Sequence, residues 1–205
     1  FDITEYLELS RQKEKDELCN VWNRTKGKGM LEERLKHMAD SGHSYLLVLL
    51  DKDNIKGVNE NYGYGEGDFF LQRTAQIAKE SLREEDFIFR LSGDEFIVVM
   101  QDTKVAEGTK KILKWRKLLE EEEKKLKKPY RMSFCYGTNY VTASNTLQVN
   151  DLIAQADEKM YSEKLRKRKN YAVKMNPFRS NSHEAGEMEY PSKFLYEALV
   201  NSSDD

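Results

Sequence analysis

Residues 87–100 read FIFRLSGDEFIVVM. Two runs of aromatic and branched apolar residues, Phe87 to Leu91 and Phe96 to Met100, are separated by the polar insert Ser92-Gly93-Asp94-Glu95. That spacing predicts a β-hairpin. Upstream, Tyr45 to Leu50 is a short, continuous apolar run, as expected of a central strand buried on both faces. Between these strands, Phe69, Phe70, Thr74, Ile77, Ala78 and Leu82 fall on or near one face of a helix predicted over Asp68 to Leu82.

The same reading extends to both sides. Asp2 to Glu17 is charged, carries Ile3, Tyr6, Leu7 and Leu9 on a helical stripe, and is expected to be a linking helix. A helix is predicted over Met30 to Asp40, stopping at Gly42. After the hairpin, a long charged helix covers Val105 to Lys128 and ends at Pro129. A strand is expected over Arg131 to Val141, a helix over Leu147 to Arg168 and a closing edge strand over Tyr171 to Lys174. Helices and a largely antiparallel sheet sharing one core make the fold class α+β.

From about Asn176 the character changes. Pro177, Ser180, Asn181, Ser182, Gly186 and Pro191 mark a linker, and Phe194 to Val200 is a short apolar segment after it. The expected organisation is a linking helix at 1–17, one domain at 18–175, and at 176–205 a linker with the start of a following domain. The segment from Phe194 onward loosely resembles the entry helix of a PAS sensor domain.

Composition excludes several classes. The 34 basic and 36 acidic residues nearly cancel, so there is no global field for DNA or RNA, and phosphate binding must be local. Cys19 and Cys135 lie far apart, and with His37, His43 and His183 they form no zinc-ligand pattern. Two buried thiols in a reducing compartment are the expectation. The longest apolar run, Leu46 to Leu50, is far too short to span a membrane. The chain starts at Phe1 and ends in Asn201-Ser202-Ser203-Asp204-Asp205, and it is read as a piece of a longer protein. A cytoplasmic location is expected, with any membrane association of the full-length protein arising from segments outside this chain.

Three clusters can carry chemistry. The stretch Asp51 to Asp68 places Asp51 at the end of a buried strand, with Asp53 two residues on and a glycine-rich turn beyond. Carboxylates in that setting suit a hard cation with its phosphate oxygens; a polar loop leaving a strand is the plainer reading. In the hairpin turn, Gly93 permits close backbone approach, and Asp94 can face Asp51 if the hairpin pairs beside that strand. Two facing carboxylates repel unless a cation lies between them, although an ordinary acidic turn has the same composition. Lys164 and Arg168, four apart on one helix face, can grip a triphosphate or simply stabilise a helix C-terminus.

In combination these residues resemble the GGDEF family of diguanylate cyclases over about Asp16 to Val173. The opening Asp16 to Arg24 is similar to D-x-L-T-x-L-x-N-R. Asp51 to Asp68 is similar to D-x-D-x-F-K-x-x-N-D-x-x-G-H-x-x-G-D. Ser92, Gly93, Asp94, Glu95 and Phe96 stand at the signature. Asp157, Tyr161, Lys164 and Arg168 match the closing D-x-x-x-Y-x-x-K-x-x-x-R. Four motifs in order are far more specific than any one of them.

The resemblance implies a palm-like fold shared with adenylyl cyclases and polymerases. It implies Mg²⁺ (or Mn²⁺) on Asp51, Asp94 and the backbone carbonyl of Lys52. Asn59 and Asp68 would bind guanine, and Lys56, Lys164 and Arg168 the phosphates. Glu95 would assist the metal or activate the 3′-hydroxyl. GTP is the implied substrate and cyclic di-GMP the product, made by a homodimer in which each domain holds one GTP. Arg83 and Asp86, at R-x-x-D spacing before the signature, imply an inhibitory product site. Sensor domains in the same chain are the implied partners.

The sequence also departs from the family pattern. Ser92 replaces the first signature glycine, Lys52 an apolar residue, Ile55 a phenylalanine, Tyr64 a histidine, Glu60 an aspartate and Lys167 a glycine. These departures leave a second expectation: a weakened domain that binds cyclic di-GMP or GTP as a regulatory module. A third, compatible with either, is a dimerisation or relay element that passes a signal along the chain.

Overall fold

The computed structural model describes residues 13–175. Four strands form its sheet: β1 (Tyr45–Lys52), β2 (Phe87–Ser92), β3 (Glu95–Gln101) and β4 (Phe134–Val141). Their spatial order is β2-β3-β1-β4, and every pairing is antiparallel. Six helices surround the sheet: α1 (Arg24–Lys36), α2 (Met38–Ser41), α3 (Ile55–Tyr62), α4 (Tyr64–Glu80), α5 (Val105–Lys125) and α6 (Val149–Met175). The α+β expectation holds, as do the hairpin and the central strand.

β1 is buried along its whole length, which is why its apolar run does not alternate. Its even-numbered residues Leu46, Val48 and Leu50 join Phe96, Val98, Phe70, Ile77 and Trp115 in one core beneath α4 and α5. Its odd-numbered residues Leu47 and Leu49 join Ile97, Val99, Phe89, Leu31 and Ile153 in a second core beneath α1 and α6. The sheet is therefore the middle of three layers. Each fully buried leucine side chain contributes about 2 kcal/mol of apolar burial, so register slip along β1 is strongly disfavoured.

α6 crosses β4 at very close range. A methyl group on Gly137 would overlap the Ala156 carbonyl oxygen and the Met160 amide nitrogen, both main-chain atoms of the helix. Glycine at that position is what lets α6 lie low over the sheet and carry Lys164 to the end of β1.

Several boundaries differ from the sequence reading. Residues 171–174, expected as an edge strand, continue α6 to Met175. No Gly or Pro interrupts the chain between Leu165 and Met175, and most of those residues are good helix formers. Of the expected linking helix, residues 1–12 lie outside the described residues. From Glu14 onward the chain is not helical: Lys15 forms a β-bridge with Trp22, and the Asp16 carboxylate caps the intervening turn by accepting from the Cys19 amide at 2.8 Å. The linker from Asn176 and the segment Phe194 to Val200 also lie outside the described residues.

α1 begins at Arg24 rather than Met30, because the Asn23 side chain caps it by accepting from the Lys26 amide. The chain after β1, read as a glycine-rich turn, is instead the helix α3, joined to α4 at Gly63 with φ 88°. α5 ends at Lys125, short of Lys128, because Lys127 takes a positive φ and Lys128 precedes Pro129.

Candidate active site

The end of β1 and the start of β3, the two central strands, meet at one end of the sheet. Asp51 pairs in register with Glu95, and Asp94 lies in the turn immediately before it. Asp51, Lys52 and Glu95 are all buried. Burial, reinforced by the charge of Asp94, pushes the Asp51 carboxyl up to about 6, although Lys164 opposes the shift. Lys164 reaches down from α6 and donates to the Asp51 carboxylate. Burial alone would lower the Lys164 pKa, but the charge and hydrogen bond of Asp51, with Cys135 and Asp94 nearby, together outweigh it and raise the pKa. The hairpin pairs beside β1, as the facing of Asp94 and Asp51 requires, and Lys164 joins them through Asp51.

The signature turn is held by its main chain. Arg90 donates from Nε and Nη2 to the Gly93 carbonyl at 2.9 and 2.6 Å. Its Nη1 is fixed in turn by both Asp16 oxygens at 3.2 and 3.1 Å. Lys52 Nζ donates to the Asp94 carbonyl at 3.0 Å and lies 3.4 Å from the centre of the Phe96 ring. Burial pushes the Lys52 ammonium down to about 7. The Ser92 hydroxyl, present where the family pattern has none, donates to Glu95 Oε2.

Asp53 does not join the acidic pair. Its carboxylate accepts from Lys167 Nζ at 2.7 Å, from the Ser133 hydroxyl and from Cys135 Sγ at 3.1 Å. Burial raises the Asp53 carboxyl, but these bonds more than offset it and hold the group below its usual range. Cys19 and Cys135 are buried free thiols, both pushed up to about 12, chiefly by burial.

The helical hairpin α3–α4 carries a second group. Asn59 Oδ1 is buried and has no hydrogen-bond partner among the described residues. It sits against Gly67, where any side chain would displace it. Asp68 is exposed one residue further along α4. An acceptor removed from water and left unpaired is costly, and an N–H donor from a ligand would satisfy it. Lys56 is exposed and pairs loosely with Glu60 at 3.7 Å, and Arg168 is exposed on α6.

Arg83 and Asp86 are separate from this site. They adjoin Gln101, at the opposite end of β3 from Glu95, about 20 Å away at ~3.4 Å per residue. The Asp86 side chain is fully buried and accepts from the Gln101 amide at 2.9 Å. Arg83 Nη2 donates to the Gln101 carbonyl at 2.6 Å and to Thr103 Oγ1 at 3.0 Å. Its side chain stays 44% exposed, enough to meet a ligand at the surface.

Sequence reasoning missed the clamp made by Asp16, Arg90 and Lys52, and the anchoring of Asp53 by Lys167. A lysine at the end of an otherwise apolar strand was the available signal for the first. The residue at 167, which replaces a glycine of the family pattern, was the signal for the second.

Comparison with known proteins matches residues 13–170 to the family described as "Diguanylate cyclase, GGDEF domain". The chain is 32% identical over 165 residues to the probable diguanylate cyclase DgcJ of Escherichia coli, covering 79% of this chain and 32% of that protein. It is 31% identical over 169 residues to the diguanylate cyclase DgcS of Shewanella oneidensis, covering 82% and 55%. The chain therefore spans between a third and just over half of these relatives. A microbial GGDEF domain solved for its interaction with bis-(3,5)-cyclic di-GMP superposes with TM-score 0.62 at 25% identity, over 75% of this chain and 94% of that one. The coiled coil and GGDEF domain of DgcB from Caulobacter crescentus, in complex with c-di-GMP, has the same fold, with TM-score 0.70 at 20% identity over 79% and 86%.

Proposed function

The chain belongs to the GGDEF family, and on that premise we propose that it is a diguanylate cyclase, joining two GTP molecules into cyclic di-GMP with release of two pyrophosphates. The observation that carries this reading is the meeting of Asp51, Asp94 and Glu95 at one end of the sheet with Lys164 above them. The donor set fits a hard divalent ion. Its donors are carboxylate oxygens, and the Asp51 pKa, raised by burial and further by the charge of Asp94, would be relieved by a cation between the two carboxylates. Asp51, Asp94 and the Lys52 carbonyl would hold Mg²⁺ or Mn²⁺, which when bound withdraws charge from the phosphoryl oxygens.

The remaining steps belong to the chain's own side chains. Asn59 Oδ1, unpaired in its cradle against Gly67, accepts from the guanine edge, and Asp68 beside it takes a second donor. Lys164 and Arg168 on α6, with Lys56 on α3, hold the phosphates. Glu95 accepts the proton of the attacking 3′-hydroxyl. Each 3′-oxygen forms a bond to the α-phosphorus of the opposite GTP as that phosphorus loses its bond to pyrophosphate. Two such exchanges close the ring, so two domains must face each other as a homodimer. Product inhibition at Arg83 and Asp86 would act from the far end of β3.

A second reading has its own support. The Ser92 hydroxyl engages Glu95, and Lys164 engages Asp51, so two of the three acids are already bound within the chain. A domain stalled in that arrangement would bind GTP or cyclic di-GMP and regulate its neighbours. Turnover by the parent separates the readings, and Asp94→Ala tests the site. Under the cyclase reading, turnover of GTP with Mg²⁺, followed by chromatography of the products, is lost in the variant. Undiminished synthesis would overturn the assignment of Asp94.

A further inference from the structure

Lys52 stands where the family pattern has an apolar residue, yet its side chain is not displaced to the surface. The residue is 2% exposed, and its Nζ reaches the Asp94 carbonyl at 3.0 Å. The same oxygen faces the Lys52 amide at 3.4 Å, so one residue holds it twice. The Phe96 ring, 3.4 Å from the ammonium, fixes the side chain from the other side. Burying a lysine is unfavourable, and a methionine or leucine would fill the space without that cost.

The benefit lies in the turn. Arg90, on β2, holds the Gly93 carbonyl and is itself fixed by Asp16. Lys52, on β1, holds the next carbonyl along. The two peptide units that set the direction of the Asp94 side chain are thus tied to two different strands. Without the side-chain tie, only the long 3.4 Å bond from the Lys52 amide restrains the Asp94–Glu95 peptide, which can then tilt and carry the carboxylate away from Asp51.

We infer that Lys52 acts through its side chain as a positioning residue, holding Asp94 in the orientation that faces Asp51. The inference rests on the cyclase reading for its kinetic consequence. Lys52 Nζ acts through the Asp94 carbonyl, beside the Phe96 ring. A misplacement of about 1 Å in a reacting group costs on the order of 100-fold in rate.

The test is Lys52→Met in the full chain, which keeps the apolar volume and removes the donor. Three quantities are read: the urea unfolding midpoint, the split between kcat and KM for GTP, and backbone ¹⁵N relaxation at Gly93 and Asp94. The expected result at pH 7 is an unfolding midpoint at or above that of the parent, KM within about two-fold and kcat lowered by about 10-fold or more. Gly93 and Asp94 become more mobile, whereas Leu49 in the core does not. A loss of kcat without loss of stability is what a merely structural lysine would not produce. Unchanged kcat, or a fall in kcat that tracks a fall in stability, would overturn the inference. If the parent makes no product, the cyclase reading fails instead, and relaxation still decides: unchanged order at Gly93 and Asp94 removes the positioning role.

Discussion

Replacing Lys52 with methionine should change how stability depends on pH, and the size of the change follows from burial. The Lys52 pKa falls from an ordinary 10.5 to about 7 in the folded chain, with burial as the main cause. A depressed folded-state pKa means that the unfolded chain binds the proton more tightly. The stability that Lys52 permits is therefore complete above 10.5 and is lost as pH falls towards 7. Each pH unit within that window is worth about 1.4 kcal/mol for one proton, flattening near the folded value. Between about pH 9 and pH 7 the parent should lose about 2 kcal/mol through this residue alone.

Methionine has nothing to titrate. The stability difference between Lys52→Met and the parent should therefore grow by about 2 kcal/mol from pH 9 to pH 7 and level off below. The loss of the bond from the neutral amine to the Asp94 carbonyl, about 0.5–1.5 kcal/mol, lowers the variant throughout that window. Urea unfolding of both proteins in EDTA, at closely spaced pH values, measures the difference directly, and titrating groups that do not interact with Lys52 cancel in the subtraction. A difference that stays constant with pH would mean that the ammonium remains charged in the folded chain. The Asp94 carbonyl and Phe96 would then fully compensate its burial, and the reasoning would fail.

Three further outcomes are expected. Gly137→Ala should lift α6 from β4, lowering stability by about 1–3 kcal/mol as overpacking does and weakening GTP binding because Lys164 and Arg168 ride on that helix; calorimetry and urea unfolding together check it, and an unchanged GTP affinity would contradict it. Asn59→Ala should cost little stability, because Oδ1 has no hydrogen-bond partner among the described residues, but should reduce GTP affinity by about 10-fold or more; equal affinities in parent and variant would remove Asn59 from guanine binding. Arg83→Ala should weaken cyclic di-GMP binding, measured by calorimetry, by about 10-fold while leaving GTP binding intact, and an unchanged affinity would remove the inhibitory-site claim.

The strands were legible because their signals are local. An apolar run without alternation announced a strand covered on both sides, and SGDE between two β-prone runs announced the hairpin. The helix α3 was not legible, because its eight residues include Gly57 and three asparagines or polar neighbours that read as loop. What makes it a helix is tertiary: Val58 is buried in the core beneath the sheet, and the Gly63 joint folds α3 against α4. The end of α6 was misread because Tyr171-Ala172-Val173 has β-prone residues, whereas continuation of a preceding helix adds one bond per residue without a new nucleus.

At the site, the acids and Lys164 were legible as types at known spacings. The clamp on the signature turn was not. Arg90 and Lys52 act on carbonyl oxygens, and main-chain acceptors leave no trace in a pattern of side chains. Asp53 shows the converse. Its spacing from Asp51 suggested a shared role, but the strand ends at Lys52 and the chain turns, so that Asp53 faces Ser133 and Lys167 instead.

The central claim is tested most directly by incubating the protein with GTP and Mg²⁺ over a range of protein concentrations, alongside a fusion that forces two copies together, and measuring cyclic di-GMP. The account predicts product that rises more than proportionally with concentration and appears strongly in the fusion. A confirmed dimer that binds GTP and still yields no cyclic di-GMP would contradict it, and the domain would then stand as a nucleotide-binding regulatory module.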